Sequence, residues 1–360
     1  MNQRVRHIYA GGNTARGYRS FLDSVLSGIT KRIVLTGDVE GLPSSLIQAI
    51  GEKAVHQVKL VEWIHSPFVT GAIDGVVIPE WKAAVVDGSY PRQLKPQAPG
   101  LREIYVDLQR VVSKERLVRH KDDILALQEK VHVETERAQH AFAEALRVHE
   151  EWESVFIAHL DREQANRVCD EVLRLFFGDA YAEKESTIRR MYLGAATPEG
   201  PHDFVPNLTE VVPKRYLIKG RPGSGKSTIL KRLVAEAEQR GFDAEVYHCG
   251  LDPNSLDMVV VPERGLAIFD STAPHEYFAE RDSDEIIDMY ARAIAPGTDE
   301  KYKEKLEKYR VRYKEATKKG TAHLKEAQEA RLLLSRLYLD ATDQERVAEI
   351  RAAIVRVLDV

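Results

Sequence analysis

Cysteine is scarce in this chain of 360 residues, and the two that occur, Cys169 and Cys249, cannot form a disulfide framework. Uninterrupted apolar runs are also missing, because the longest are far below the roughly 18–20 residues that a membrane span needs. The first residues lack the apolar region of a secretory signal. We therefore expect a cytoplasmic protein that has no membrane partner.

An excess of either charge is absent as well. The chain has 52 Lys and Arg residues against 56 Asp and Glu, for a formal net charge of −4. A dedicated nucleic-acid binder usually carries a basic excess, so this balance argues against a nucleic-acid partner. With 43% hydrophobic and 30% charged residues, the composition is that of a globular protein with long solvated surfaces. Its length suits two or three domains.

The chain contains an internal repeat. When the sequence is shifted by 183 positions, residues 7–91 align with residues 190–274 without a gap, and 20 of the 85 pairs are identical. That is about a quarter of the pairs, against the roughly 6% that ordinary composition would give. Many of the remaining pairs exchange one aliphatic residue for another. A tandem duplication of one unit explains this pattern.

Each copy consists of short apolar runs bounded by turn residues, a pattern typical of buried strands in an α/β sheet. In the second copy these runs are residues 191–193, 216–218, 244–247, 258–261 and 266–269. Residues 227–240 predict an amphipathic helix between the second and third strands. Residues 262–265 separate two strands too closely for a helical crossover, so they predict a tight turn.

A long helical stretch follows each α/β unit. Apolar residues recur every 3.5 positions from Ile124 to Val155 and from Tyr302 to Leu337, which predicts coiled-coil-like helices. At 1.5 Å per residue, such helices are roughly 45–60 Å long. The Lys and Glu residues between positions 300 and 326 suit a solvated helix face, or a surface that docks a protein partner. The predicted α/β units are residues 1–98 and 186–280, and the predicted helical segments are residues 99–185 and 281–360.

The strongest chemical pattern is a glycine-rich loop at residues 220–228, which fits G-x-x-x-x-G-K-[ST]. An apolar strand precedes it and a helix follows, as this pattern requires. The glycines let successive backbone N–H groups point at phosphate oxygens, and the helix N-terminus adds partial positive charge. Lys226 would reach the β and γ phosphates, and the Ser227 hydroxyl would ligate Mg²⁺. The candidate phosphate-binding residues are Gly220, Pro222, Gly223, Ser224, Gly225, Lys226, Ser227 and Thr228.

With this loop, the sequence resembles the P-loop NTPase superfamily. Over most of its length it also resembles a bacterial family of duplicated P-loop ATPase-like proteins with one P-loop-like unit in each half. The wider resemblance is based on residues 11–14, 220–228, 248–249, 257–262 and 269–275. It implies an α/β fold made of three-layer αβα units, and ATP with Mg²⁺ as substrate and cofactor.

Such a site needs an acid beside the Mg²⁺, at the end of a hydrophobic strand. Asp270 follows the strand at residues 266–269 and would act on the metal through water, so it is a metal and catalytic candidate. Asp257 also borders a strand, but it precedes that strand. Because ligands of these sheets lie at the carboxyl ends of the strands, we prefer Asp270 and interpret Asp257 as a strand cap.

His248 is the third catalytic candidate, together with Lys226 and Asp270. It ends the strand at residues 244–247, on the same sheet edge as the loop, and would contact a second substrate or position water. The alternative is a structural histidine that hydrogen-bonds to the backbone. His275, five residues after Asp270, is open to the same two interpretations.

The first copy lacks the chemistry of the loop. Glu40, Leu42 and Pro43 stand where the second copy has two loop glycines and the lysine. Glu40 would put a carboxylate near a bound anion, which costs roughly 1–4 kcal/mol for two charges 4 Å apart. Pro43 removes both the ammonium group and an N–H donor. We therefore predict that the first copy does not bind a nucleotide in this mode.

Other residues of the first copy still match the second. These are His65, Asp74, Pro79 and Asp87. If they served only nucleotide chemistry, nothing would retain them in a copy that has lost the loop. They are either elements of the fold or parts of a site for another ligand on the same edge.

The leading hypothesis is a Mg²⁺-dependent ATPase in which the second unit holds the nucleotide and water attacks the γ-phosphate in line. One alternative is a kinase that transfers phosphate to a small acceptor such as a nucleoside or nucleotide, because this loop composition is common among small-molecule kinases. Another is a non-enzymatic ATP switch, in which nucleotide closes the two units and reorients the long helices toward a protein partner.

Overall fold

The computed structural model describes residues 4–92, 94, 96 and 98–358. Residues 1–3, at the start of the first predicted unit, residues 93, 95 and 97, close to its end, and residues 359–360, at the end of the last predicted segment, lie outside the described residues. The described chain forms two similar α/β units, each built on a mixed sheet, together with helices that connect and cover them.

In the described part of the first half, eight strands alternate with two helices, and further helices follow the last strand. Its strands are β1 (Arg4–Ile8), β2 (Gly11–Thr14), β3 (Gly17–Ser20), β4 (Lys31–Thr36), β5 (Leu60–His65), β6 (Ile73–Ile78), β7 (Ala83–Asp87) and β8 (Glu103–Asp107). Its helices are α1 (Leu22–Val25), α2 (Leu42–Val55), α3 (Lys114–Val118), α4 (Lys121–Ile157) and α5 (Arg162–Phe177). Short 3₁₀ turns cover Pro79–Trp81 and Leu108–Val111.

The second half repeats this order. Its strands are β9 (Ile188–Tyr192), β10 (Gly194–Thr197), β11 (Gly200–Asp203), β12 (Lys214–Lys219), β13 (Ala244–His248), β14 (Leu256–Val261), β15 (Leu266–Asp270) and β16 (Glu285–Asp288). Its helices are α6 (Val205–Leu208), α7 (Lys226–Gln239), α8 (Met289–Ala293), α9 (Thr298–Lys301), α10 (Lys303–Asp340) and α11 (Gln344–Leu358), and a 3₁₀ turn covers Pro262–Arg264. The predicted strands, the helix after the loop and the tight turn are therefore present.

The two main sheets have the same topology. Within the described residues, their orders are β1-β5-β6-β7-β4-β8 and β9-β13-β14-β15-β12-β16. Neighbouring strands are parallel, except that β6 and β14 run antiparallel to both of their neighbours. The strands β8 and β16 extend the sheets beyond the boundaries predicted at residues 98 and 280. Matching topology in both halves agrees with the duplication inferred from the repeat.

The inner faces of the two sheets share one hydrophobic core. Val34 and Val86 of the first sheet belong to the same buried cluster as Leu217 and Phe269 of the second, and the short helices α1 and α6 contribute to it. Long helices therefore cover only the outer face of each sheet. In each unit, helices form the layer on the outer face of the sheet, and the other unit covers the inner face, where the predicted three-layer arrangement has a second layer of helices. An apolar face of a sheet is stable only when it is covered.

The helices on the outer faces are exchanged between the two halves. Helix α5 packs with α7 on the second sheet, where Val172 and Phe176 join its core. Helix α11 returns to the first sheet, where Ile354 and Leu358 pack into the cluster that contains α2. Each copy is thus followed in sequence by a helix that covers the other copy.

Helices α4 and α10, of 37 and 38 residues, are the two predicted long helices, and each is about 55 Å long. They pack antiparallel to each other, because Lys130 lies 2.7 Å from Glu326 while Arg312 lies 2.8 Å from Glu151. Their supercoiling as a coiled coil stays a prediction. None of the described helices is long and apolar enough to cross a membrane.

A buried charge network joins the two halves on the inner side. Arg6 contacts Glu62 at 3.0 Å and Glu245 at 2.7 Å, and Arg189 contacts Glu62 at 2.5 Å. Arg6 and Arg189 are equivalent in the repeat, as are the two glutamates. Burial alone would raise the pKa of Glu245, but the arginines lower it to about 2. Equivalent residues therefore meet across an approximate twofold axis.

The same axis passes between two tyrosines. The Tyr192 N–H donates to the Tyr9 carbonyl oxygen at 3.0 Å, in an antiparallel bridge between residues at equivalent positions. Such an arrangement of one patch against its own copy is what a symmetric dimer interface shows. Here, the duplication places both patches in one chain.

Candidate functional site

Each glycine of the candidate loop is favoured by a different feature of the local backbone. The loop follows β12 and ends where α7 begins, at Lys226. Gly223 and Gly225 have φ angles of +78° and +92°, in the left-handed region that glycine adopts without steric cost. At Gly220, an added Cβ would lie 2.5 Å from the Ser224 hydroxyl oxygen. The backbone therefore requires glycine at Gly223 and Gly225, and the close contact with Ser224 favours it at Gly220.

Lys226 folds back over this loop. Its Nζ donates to the carbonyl oxygens of Gly220 at 3.1 Å and Arg221 at 3.0 Å. It also lies 3.6 Å from Oδ2 of Asp270, at the carboxyl end of β15. The structure thus brings together two of the three catalytic candidates, Lys226 and Asp270.

The other loop candidates differ in their surroundings. The Ser227 hydroxyl oxygen accepts a hydrogen bond from the Leu256 N–H at 3.1 Å, which ties the first turn of α7 to the start of β14. Pro222 is half-buried and Thr228 is exposed. Ser224 donates its hydroxyl proton to the Arg221 carbonyl at 2.7 Å, which closes the loop on itself. Ser227 is therefore the hydroxyl that links the loop to the sheet.

Asp257 lies at the same sheet edge as Asp270. Because β14 is antiparallel to β15, the start of β14 lies beside the end of β15, with Met258 opposite Phe269. The premise that set Asp257 aside, its position before a strand, therefore does not separate it from the loop. Burial raises the pKa of Asp257 to about 6, and the nearby Asp270 carboxylate contributes to the same shift. The loop thus faces a pair of carboxyl groups.

His275 is part of a hydrogen-bonded group beside these carboxyls. Its Nδ1 lies 2.6 Å from Oδ2 of Asp203, and the Tyr277 hydroxyl donates to Oδ1 of Asp203 at 2.5 Å. Burial opposes protonation of His275, but its hydrogen bond to Asp203 raises its pKa overall. Its imidazole is therefore held by Asp203 at the rim of the site.

The polar contacts of His248 are with residues outside the loop. Its Nδ1 donates to the Pro253 carbonyl at 2.6 Å, its Nε2 lies 3.3 Å from an Arg190 amino group, and its ring stacks on Phe21. Burial lowers its pKa to about 4, so the ring is neutral near pH 7. Among the described residues, no hydrogen bond joins His248 to Lys226 or Asp270. This geometry fits the backbone-bonded interpretation.

Helix α4, from the first half of the chain, covers the loop. An added Cβ at Gly223 would lie 2.6 Å from the Glu153 carbonyl oxygen and 3.0 Å from Cγ1 of Ile157. His149, one turn earlier, is half-buried near Lys226, and its burial lowers its pKa. The sequence singled out none of these α4 residues, because a helical repeat does not identify the surface that its helix contacts.

The equivalent edge of the first copy is occupied by an arginine. Arg92 lies between two aspartates, with Nε 2.7 Å from Asp74 and Nη1 3.3 Å from Asp87. Arg92 is equivalent in the repeat to His275, and the aspartates are equivalent to Asp257 and Asp270. A guanidinium group of the chain itself therefore neutralises the carboxyl pair in the first copy.

The retained residues of the first copy all have structural contacts. The His65 ring packs on Phe204, with centroids 4.6 Å apart, and its Nε2 lies 2.8 Å from Nδ1 of His7. Pro79 begins the 3₁₀ turn before β7, and Asp74 and Asp87 hold the arginine described above. These contacts fit the interpretation of the matching residues as elements of the fold.

The residues around the loop fit a Mg²⁺ ion only with help from a ligand. Mg²⁺ prefers oxygen donors, which Ser227, Asp270 and Asp257 supply. Among the described residues, no group of three or more His, Cys, Asp or Glu side chains is arranged to hold a metal ion by itself. A Mg²⁺ ion here would need phosphate oxygens and water to complete its six ligands.

The candidate site thus combines the loop of the second copy with an acidic pair and one end of α4. The sequence pattern pointed to Lys226, Ser227 and Asp270. The short turn at residues 262–265 held a signal for Asp257, because strands joined so closely must be antiparallel. In comparisons with known proteins, no family model, no curated protein and no solved structure matches this chain.

Proposed function

We propose that the second unit binds a nucleoside triphosphate, ATP in the first instance, with Mg²⁺ and hydrolyses it. The observation that carries this proposal is the loop geometry. A glycine-rich turn between a strand and a helix has Lys226 folded over it and Asp270 3.6 Å from the lysine nitrogen. A loop of backbone N–H groups, one ammonium group and one carboxylate is the set of groups that phosphate with Mg²⁺ requires.

The loop would bind the phosphates through its backbone. The first N–H groups of α7 have no partner within the helix, and together with the helix dipole they favour an anion at this end. Lys226 would exchange its contacts with the Gly220 and Arg221 carbonyl oxygens for contacts with the β and γ phosphates. These three loop residues therefore change partners when nucleotide binds.

The acids would act on the metal side of the phosphates. Ser227 and Asp270 would hold a Mg²⁺ ion, which would neutralise charge on the β and γ oxygens. Asp257, with a pKa near 6, would be mostly ionised near pH 7 and would hold a water ligand of the metal together with Asp270. Attack by water in line with the leaving oxygen then needs no covalent intermediate with the protein.

The test is the affinity of the purified protein for MgATP, measured by calorimetry. Lys226→Ala should abolish binding, because the loop loses its ammonium group. Lys231→Ala, on an exposed position of the same helix, is the matched control and should bind as the wild type does. Unchanged affinity in the Lys226→Ala variant would contradict the proposal.

A non-enzymatic ATP switch is the second candidate, and the contact of α4 with Gly223 favours it. Nucleotide entering the loop would push on a helix that packs along α10, which could present a new surface to a protein partner. Tight MgATP binding with negligible single-turnover hydrolysis would support the switch. Rapid single-turnover hydrolysis would support the ATPase, and stimulation of ADP release by a small acceptor would support a kinase.

A further inference from the structure

The last turns of α4 lie directly on the candidate phosphate loop. If Gly223 had a Cβ atom, it would lie 2.6 Å from the Glu153 carbonyl oxygen, 2.9 Å from Glu153 Cγ and 3.0 Å from Ile157 Cγ1. Cβ atoms do not approach other atoms so closely, so only glycine allows this contact. The loop and the helix therefore meet at backbone distance.

The Glu153 side chain packs on Gly223, beside the groups that a phosphate would use. Burial raises the pKa of the Glu153 carboxyl group, and the charge of Lys226 and the Gly223 backbone oppose that rise. A backbone N–H group and a lysine ammonium are the two kinds of donor that this loop offers to an anion. Glu153 is half-buried there, rather than turned to solvent.

The first copy has the same contact between helix and loop, with the charges exchanged. Glu40 occupies the loop position equivalent to Gly223, and Arg331 of α10 reaches it with Nη1 2.8 Å from the carboxylate. Ser335, one turn further along, would lie 1.9 Å from a Cβ atom added at Gly41. In each half, the covering helix supplies the charge that its loop lacks. The position of Glu153 is thus matched by charge as well as by packing.

We propose that Glu153 is an internal phosphate mimic, which holds the end of α4 over the loop and must be displaced before nucleotide binds. This inference rests on the proposed function and concerns the regulation of the same site. The loop is then divided between a covered and an open state, and the apparent affinity for nucleotide is reduced by the fraction of molecules that are open. Weakening the Glu153 contact should tighten nucleotide binding rather than weaken it.

The test compares Glu153→Gln with Glu150→Gln by calorimetry with MgATP. Glutamine keeps the shape of the side chain but removes the charge that holds it near Lys226. Glu150 is exposed on the same helix, so its replacement changes the net charge equally without touching the loop. We expect Glu153→Gln to bind MgATP about tenfold more tightly, the scale of one charge-assisted hydrogen bond. Glu150→Gln should stay within about twofold of the wild type.

Hydrogen exchange gives a readout that does not depend on affinity. In the wild type, MgATP should increase amide exchange in residues 150–157, because the end of α4 leaves the loop. An unchanged or weaker affinity of Glu153→Gln, in a wild type that does bind MgATP, would overturn the inference and leave the proposed function standing. A lower rate of hydrolysis at unchanged affinity would overturn it too, since Glu153 would then act on the attacking water. If neither the wild type nor the variant bound MgATP, the proposed function itself would fail.

Discussion

The candidate site of the second copy and the equivalent edge of the first copy share one connection. In the second copy, Ser227 accepts a hydrogen bond from the Leu256 N–H at 3.1 Å, and in the first, Ser44 accepts one from the Ile73 N–H at 2.8 Å. These residues are equivalent in the repeat. A serine at this position therefore serves the fold in both halves, whether or not the loop beside it can bind a phosphate.

The two edges differ in how they neutralise their acids. In the first copy, Arg92 provides a buried positive charge between Asp74 and Asp87. In the second, the equivalent residue is His275, which Asp203 holds instead. The first copy thus neutralises its buried acids with its own side chains. The second leaves an acidic pair next to one lysine, and that incomplete balance is what a bound cation with a phosphate would complete.

Breaking the first copy at Arg92 should have the largest effect. Arg92→Met leaves two aspartates at a buried edge without their cation, and removal of one partner from a buried ion pair costs about 3–5 kcal/mol. The free energy of unfolding, measured with urea, should fall by that amount. The exposed Arg102→Met in the same copy is the control and should change it by less than about 0.5 kcal/mol.

The same urea unfolding measurement would show whether Arg92 really neutralises the two aspartates. A cost below about 1 kcal/mol would mean that Asp74 and Asp87 are neutral or solvated in the folded protein. The first copy would then resemble the second in its charge balance, and the comparison would lose its basis.

Replacing Asp257 tests the second copy in the opposite direction. Burial and the neighbouring Asp270 raise the pKa of Asp257 from the ordinary 3.8 to about 6 in the folded protein, so folding favours the neutral carboxyl group. That contribution is complete below about pH 3.8 and is lost as the pH rises through about 6. Asp257→Asn should therefore raise the free energy of unfolding at pH 7 by about 3 kcal/mol, and it should flatten the pH dependence between pH 4 and 6.

The exposed Asp282→Asn is the matched control for this variant, and it should leave the pH profile unchanged. Destabilisation by Asp257→Asn at pH 7 would mean that the ionised carboxylate is satisfied by the protein itself. The acidic pair of the second copy would then be as complete as that of the first.

Much of this architecture could be predicted from the sequence, because the repeat compares every element with its partner. The offset of 183 residues implied two similar units, and the run of residues 227–240 predicted a helix that the structure gives as Lys226–Gln239. The premise that placed Asp257 away from the loop was wrong because of strand direction. The turn at Pro262–Arg264 is too short for a parallel connection, and this brings both ends of the hairpin to the loop.

The exchange of helices between the halves could not be predicted in the same way. A seam of apolar residues shows that α4 packs against another helix, but it carries no information on which loop the end of α4 will meet. Glu153 in the sequence is one acid among several on a charged helix. Its contact with Gly223 depends on the antiparallel pairing of α4 with α10, which is a property of the whole chain.

The smallest expected effect comes from replacing Ser44 and Ser227, and it tests whether Ser227 has a role beyond the fold. Ser44→Ala and Ser227→Ala each leave a backbone N–H group without its acceptor, so each should lower the free energy of unfolding by about 1 kcal/mol. The two losses should be equal, because the hydrogen bonds are equivalent. MgATP affinity, measured by calorimetry, should fall in Ser227→Ala alone, since only that hydroxyl faces a loop with a lysine. Equal affinities in both variants would mean that Ser227 serves only the fold, and the Mg²⁺ ion would then depend on Asp270 and Asp257 for its protein ligands.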